Sequence, residues 1–217
     1  MQHPVVSPAR LALGGLLCLA AAMGIGRFVL TPILPDMVAE IPLSASLAGL
    51  IASANFLGYL VGALGATAWP RRLLSQGFVG ALVASVLTTG LMAALDDLVW
   101  LAGIRALGGM ASAGVLVFSS AIVLERLAER GRADLTDFHF AGVGLGIAAS
   151  AGLVGGLREG GADWQELWLG AGLLAAVLCL AAWICLAPVA RRGAPEVGSA
   201  ARRSAAAPGT AARPTRQ

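Results

Sequence analysis

From Leu11 to Leu34 the chain carries one charged residue, Arg27, inside an apolar run too long for the core helix of a soluble domain. Gly24 and Gly26 stand just before that arginine, and Pro32 and Pro35 follow it. A guanidinium at membrane depth is costly unless it faces a bundle interior or a wet cavity, which makes Arg27 the first functional candidate. The rest of the chain has to supply that bundle. Composition agrees, because 58% hydrophobic residues, 12% charged residues and a mean hydropathy of +0.81 lie outside the range of soluble domains.

Five further apolar runs follow the first, and together they predict an all-α integral membrane protein with six transmembrane helices at about 11–34, 45–68, 78–95, 98–124, 138–157 and 164–187. Residues 1–10 form a short polar N-terminus. Arg10, the apolar core and Ala20-Ala21-Ala22 imitate a secretory signal, but the run continues beyond them and more spans follow, so the first span is expected to be retained. Residues 188–217 are rich in Arg, Ala and Pro and hold too little apolar surface to fold, which predicts a disordered tail.

All fifteen basic residues are arginine, and they fall where membrane topology places them rather than in a stripe interleaved with aromatics, so nucleic acid is not an expected partner. Arg10, Arg71, Arg72, Arg126, Arg130, Arg132 and the tail occupy alternate connections, which predicts that both termini are cytoplasmic. The opposite connections hold Asp36, Glu40, Asp96, Asp97, Glu159 and Asp163, with Arg158 as their one base. Trp69, Trp100, Trp164, Trp168 and Trp183 lie near span ends, as an interfacial aromatic belt would place them. Cys18, Cys179 and Cys185 lack metal-ligand spacing and read as free thiols, so no metal or cofactor is expected.

Helices in lipid associate through close packing of small residues, and the Gly58/Gly62, Gly142/Gly146 and Gly152/Gly156 pairs give that pattern, with Gly24, Gly26 and Gly109 as further packing candidates. Arg105 is a second intramembrane arginine. It lies at a depth similar to that of Arg27, and no aspartate or glutamate lies well inside any span to pair with either. An anion is one candidate partner; snorkelling or bonds to backbone carbonyls is the other. Ser53, Asn55 and Tyr59 are the polar neighbours expected around such a cavity, and His139, at the start of the fifth span, is a candidate gate or proton-linked residue. Catalysis is not expected: Ser112 lacks a Gly-x-Ser-Gly context, and His139 lies at a different depth.

Gly24-Ile25-Gly26-Arg27-Phe28 with Thr31-Pro32 and Leu34-Pro35, Ser53-Ala54-Asn55-Phe56-Leu57-Gly58-Tyr59, Arg105 with Gly109, and His139-Phe140-Ala141-Gly142-Val143-Gly144 together carry a family resemblance. From about Leu11 to Ala187 the chain resembles the N-terminal half of a major facilitator superfamily transporter of the YbfB/YjiJ type. The resemblance implies two three-helix inverted repeats whose first helices, spans 1 and 4, line a central cavity. It also implies a bacterial inner-membrane carrier of a small solute, proton-linked through Arg105, working with a C-terminal six-helix half or a second copy. The connection Trp69-Pro70-Arg71-Arg72 lacks the superfamily's aspartate and the fifth span lacks the antiporter proline, so antiport is unsupported. A truncated product without transport, or a six-helix protein with a structural role, stands as the alternative.

The orientation is testable by cysteine labelling of intact cells. Residues of the 125–137 connection are expected to stay protected from an impermeant reagent, and labelling from outside would reverse the topology.

Overall fold

The structure is a computed structural model and describes residues 6–41 and 43–190. Six helical segments are long and apolar enough to cross a membrane: Pro8–Glu40, Ala45–Thr67, Arg71–Ala94, Leu98–Ala128, Ala133–Glu159 and Trp164–Ala190. No strand occurs among the described residues.

The first span is not one helix. It comprises α1 (Pro8–Leu19), a π-helical turn at Ala20–Ile25 and, after a turn at 26–29, α2 (Leu30–Glu40). The remaining spans are α3 (Ala45–Thr67), α4 (Leu74–Leu91), α5 (Leu98–Ala128), α6 (Thr136–Glu159) and α7 (Trp164–Ala190), with short 3-10 turns before α4 and α6 and after α4. Polar side chains cap several helix starts, carrying α1 back to Pro8 from the expected 11 and fixing α5 and α7 at the expected 98 and 164. Ser7 accepts from the Arg10 amide at 3.3 Å with Pro8 in the first helical turn, and Asp97 accepts from the Val99 and Trp100 amides. Asp163 and Glu166 form a reciprocal capping box at 2.8 and 3.1 Å, which starts α7. At its far end α7 continues through Pro188 to Ala190, past the expected limit at 187. The expected disordered tail otherwise lies outside the described residues.

Spans 1 and 4 form the centre of the bundle. In their most apolar windows 78% and 61% of residues are buried, against 22–33% in the other four. Two apolar clusters divide the interior. One gathers Leu11, Cys18, Phe78, Val115 and Leu186; the other gathers Ile25, Ile33, Met37, Ile51, Trp164 and Trp168. Between them, along the helices, sit the buried polar residues Asn55, Ser85, Thr88, Thr89 and Arg105. Trp164 and Trp168 therefore correct the belt expectation. They face inward against the bent first span, and the Trp168 indole donates to the Met37 sulfur at 3.4 Å, whereas Trp69 and Trp100 are exposed.

Glycines allow the closest approaches. A Cβ on Gly58 would fall 1.9 Å from the Ala106 carbonyl oxygen, one on Gly62 2.6 Å from Met110 Cα and one on Gly109 2.1 Å from the Asn55 carbonyl oxygen, so α3 and α5 touch backbone to backbone. Gly142 and Gly146 hold α6 in the same way against Leu16 and Ala20, and Gly24 meets Gly146. A side chain on Gly26 would meet Ser85 of α4. Gly152 and Gly156 depart from expectation: both are exposed on α6 and a Cβ on either meets open space, so they pack no helix among the described residues.

Gly109→Val is expected to cost about 3 kcal/mol, the upper end for overpacking, since the clash is with backbone that has no rotamer to change. Gly103→Ala, where nothing lies within 4 Å, should be neutral or slightly stabilising. Thermal unfolding of the two variants in lipid nanodiscs measures the contrast; equal stabilities would refute the packing account.

Candidate functional site

The break in the first span follows from Pro32. Proline has no amide hydrogen, so the Phe28 carbonyl loses the donor four residues on that a regular helix would give it. The Thr31 amide turns to Phe28 instead, at 3.1 Å, and so abandons the Arg27 carbonyl that an α-helix would assign to it. Upstream, the Gly26 amide reaches back to Ala21 at 2.8 Å in the π-type pattern.

Arg105 of α5 binds the carbonyls at this break. Its Nη1 donates to the Gly26 carbonyl at 2.8 Å and its Nη2 to the Arg27 carbonyl at 2.7 Å, with the guanidinium 5.5 Å from the Trp168 ring. The side chain is 2% exposed and its Nε has no partner. Placing an arginine at the centre of a spanning helix costs about 2.5–3.5 kcal/mol. Two charge-assisted bonds, each worth about 1.5–3 kcal/mol, offset that without any carboxylate. Asn55 completes the junction by donating from Nδ2 to the Arg105 carbonyl at 2.9 Å, which ties α3 to α5.

Arg27 is held differently. Its Cζ lies 4.0 Å from the Tyr59 ring centroid, 4.9 Å from Phe56 and 5.4 Å from Phe28. The guanidinium is half-buried against these faces, and no hydrogen-bond acceptor among the described residues receives it. Cation–π contact contributes about 0.5–2 kcal/mol here but leaves the N–H groups unsatisfied. Arg105 spends both Nη atoms on carbonyls, whereas Arg27 keeps its own for another group.

Arg27, Arg105, Asn55 and Tyr59 are thus one cluster. Ser53 is exposed on another side of α3 and stands apart. His139 also stands apart, fully buried where α6 meets α1 and α5. Its Nε2 lies 3.3 Å from the Ser120 hydroxyl, and its Nδ1 faces Gly15, whose added Cβ would lie 2.0 Å away. That packing leaves no space for an orienting carboxylate, so Ser120 and His139 do not form a nucleophile and base of the triad type. Ser112 donates to the Gly109 carbonyl at 2.9 Å. No group of His, Cys, Asp and Glu among the described residues could hold a metal ion. Phe28, Phe56 and Trp168 also contact the two arginines, and sequence reasoning passed them over. The spacing of Phe56 and Tyr59, three apart on α3, places them on one helix face and was the available signal.

Six spans, a bent first span at the centre and an intramembrane arginine on its broken backbone define an all-α multi-pass membrane protein. The chain matches the family described as uncharacterised MFS-type transporter YbfB over residues 19–213, and it belongs to that family of transporters. No curated protein and no solved structure matches it.

The clamp has a genetic signature. Arg105→Met leaves two carbonyls unpaired, at about 1–3 kcal/mol each. Pro32→Ala restores an amide to residue 32, lets Thr31 return to Arg27, and should recover one of those losses. The Arg105→Met change is therefore expected to cost at least about 1 kcal/mol less in the Pro32→Ala background, a coupling that a double-mutant cycle measures. Strict additivity would refute the clamp.

Proposed function

We propose that this chain is one six-span half of a secondary active transporter for a small solute that carries an anionic group. It works with a second six-span bundle, either a C-terminal half or another copy, in a bacterial inner membrane with both termini in the cytoplasm. The observation that carries the reading is Arg27, a permanently charged group at membrane depth whose hydrogen-bond donors find no acceptor among the described residues. An anionic substrate group is the partner that relieves it. Arg105 then acts as a positioning residue, since its Nη atoms are spent on carbonyls, one of them that of Arg27 itself. Coupling to protons rests on the family resemblance at Arg105, with His139 as the titratable candidate.

The second bundle is supported by the faces that this chain leaves uncovered. Only 22% of the most apolar windows of spans 2 and 5 is buried, and Gly49 on α3 with Gly144, Gly152 and Gly156 on α6 meet open space. Small residues at membrane depth allow close helix contact, so these positions suit a second bundle. Alternating access requires such a partner, because one bundle has nothing to rock against.

Uptake by vesicles of the native membrane tests the site. Arg27→Gln is expected to lower transport of an anionic solute at least tenfold, about 1.4 kcal/mol, while Arg27→Lys retains part of it. Equal losses for anionic and uncharged solutes would refute the anion contact. Robust uptake by demonstrably monomeric chain in liposomes would remove the need for a second bundle.

A further inference from the structure

A second feature of the bundle lies away from the arginine cluster. Both α3 and α4 pack on α5, yet they make little contact with each other. The space between them is an apolar groove of ≈ 760 Å³, floored by α5 at Met110 and Gly114 and walled by small residues such as Gly65, Gly80 and Ala84. It is bounded at one end by Trp69 and Phe118, whose rings lie 6.0 Å apart. Thr88 faces it but donates back to the Ala84 and Ser85 carbonyls, so the groove presents no unmet hydroxyl. An open apolar groove at membrane depth has no water to fill it, and its occupant has to be apolar along its length.

The Trp69 end carries the opposite chemistry. Gln76 lies at the groove mouth, Arg71 and Arg72 stand exposed beside it, and the nearest acid, Glu125, takes only a long 3.7 Å contact from Arg71. Arg72 has no partner among the described residues. Along α4 the groove runs from Gln76 to Leu91, which at the helical rise is about 22 Å. One leaflet of hydrocarbon is about 15 Å deep. We propose that this groove is a binding site for one anionic phospholipid, its acyl chain lying between α3 and α4 and its phosphate on Arg71 and Arg72. A protein helix is the less suitable occupant. It would cover the apolar walls but leave Arg71 and Arg72 without a counter-charge, whereas a phospholipid supplies both. The two cations at that same end add attraction for a negative head group. The lipid bridges two helices that otherwise make little direct contact, and so stabilises the α3–α4 side of the bundle.

The test uses the full chain, delipidated in detergent and titrated with dioleoylphosphatidylglycerol or dioleoylphosphatidylcholine. The anionic lipid is expected to raise the Tm by roughly 5 °C or more at saturation, and the zwitterionic lipid by less than half as much. Arg71→Ala with Arg72→Ala should abolish the difference between the lipids, while Gly80→Trp, which fills the groove from an open position, should abolish both shifts. p-Benzoylphenylalanine in place of Gly80, irradiated in native membranes, should capture phospholipid. Equal shifts with the two lipids, an unchanged response in the Gly80→Trp protein, or capture of a protein segment at position 80 would each overturn the proposal. None of these readouts depends on transport, so their failure leaves the reading of Arg27 untouched.

Discussion

Backbone groups at membrane depth have no water to bond, and that constraint organises this bundle. Pro32 removes one amide from the first span, the loss propagates to the Arg27 carbonyl, and the only remedy is a donor from another helix. Arg105 supplies it from α5, to Gly26 and Arg27 together. A charged residue that would be costly alone is thus the group that makes the break tolerable, and the break is what makes the charge tolerable. The glycine contacts serve the same junction. Without Gly58 and Gly109, α3 could not approach α5 closely enough for Asn55 to reach the Arg105 carbonyl.

The six spans were legible in the sequence because length and hydropathy are properties of a run, independent of what it packs against. Their ends were less so: the starts at Leu98 and Trp164 fell where the apolar runs begin, but Ser7 starts α1 early at Pro8, and α2, α5 and α7 run on to Glu40, Ala128 and Ala190, by local hydrogen bonds that hydropathy does not weigh. Trp164 and Trp168 show a second limit. Sequence position gives depth along a helix but not which way a residue faces, and these two face inward because the bent first span leaves space that large side chains fill. Arg158 looked like an exception to the charge rule at its end of the bundle. It pairs with Asp36 at 2.5 Å and donates to the Pro32 carbonyl at 2.7 Å, so it fastens α6 to the same proline-bent segment.

The arginine pair shows the limit most sharply. Equal depth made Arg27 and Arg105 look equivalent, and the residues that separate their roles are distant in sequence. Arg105 meets carbonyls because Pro32 freed one of them; Arg27 meets aromatic faces because Phe56 and Tyr59 come from α3. No local pattern around either arginine encodes that division.

The division also bears on how movement at the site would be felt. Arg27 gives its carbonyl to Arg105 and its side chain to the Tyr59 face, so one residue links the first span to α5 and to α3. Aromatic contact is soft, tolerating displacement of the cation across a ring, whereas a 2.7 Å charge-assisted bond to a carbonyl is directional. A group drawing the Arg27 guanidinium away from Tyr59 therefore loosens the α3 contact before the α5 contact. The backbone at the break stays fixed on the bundle's centre while the side chain reorients, which is the arrangement a binding site needs if its scaffold is to outlast its ligand.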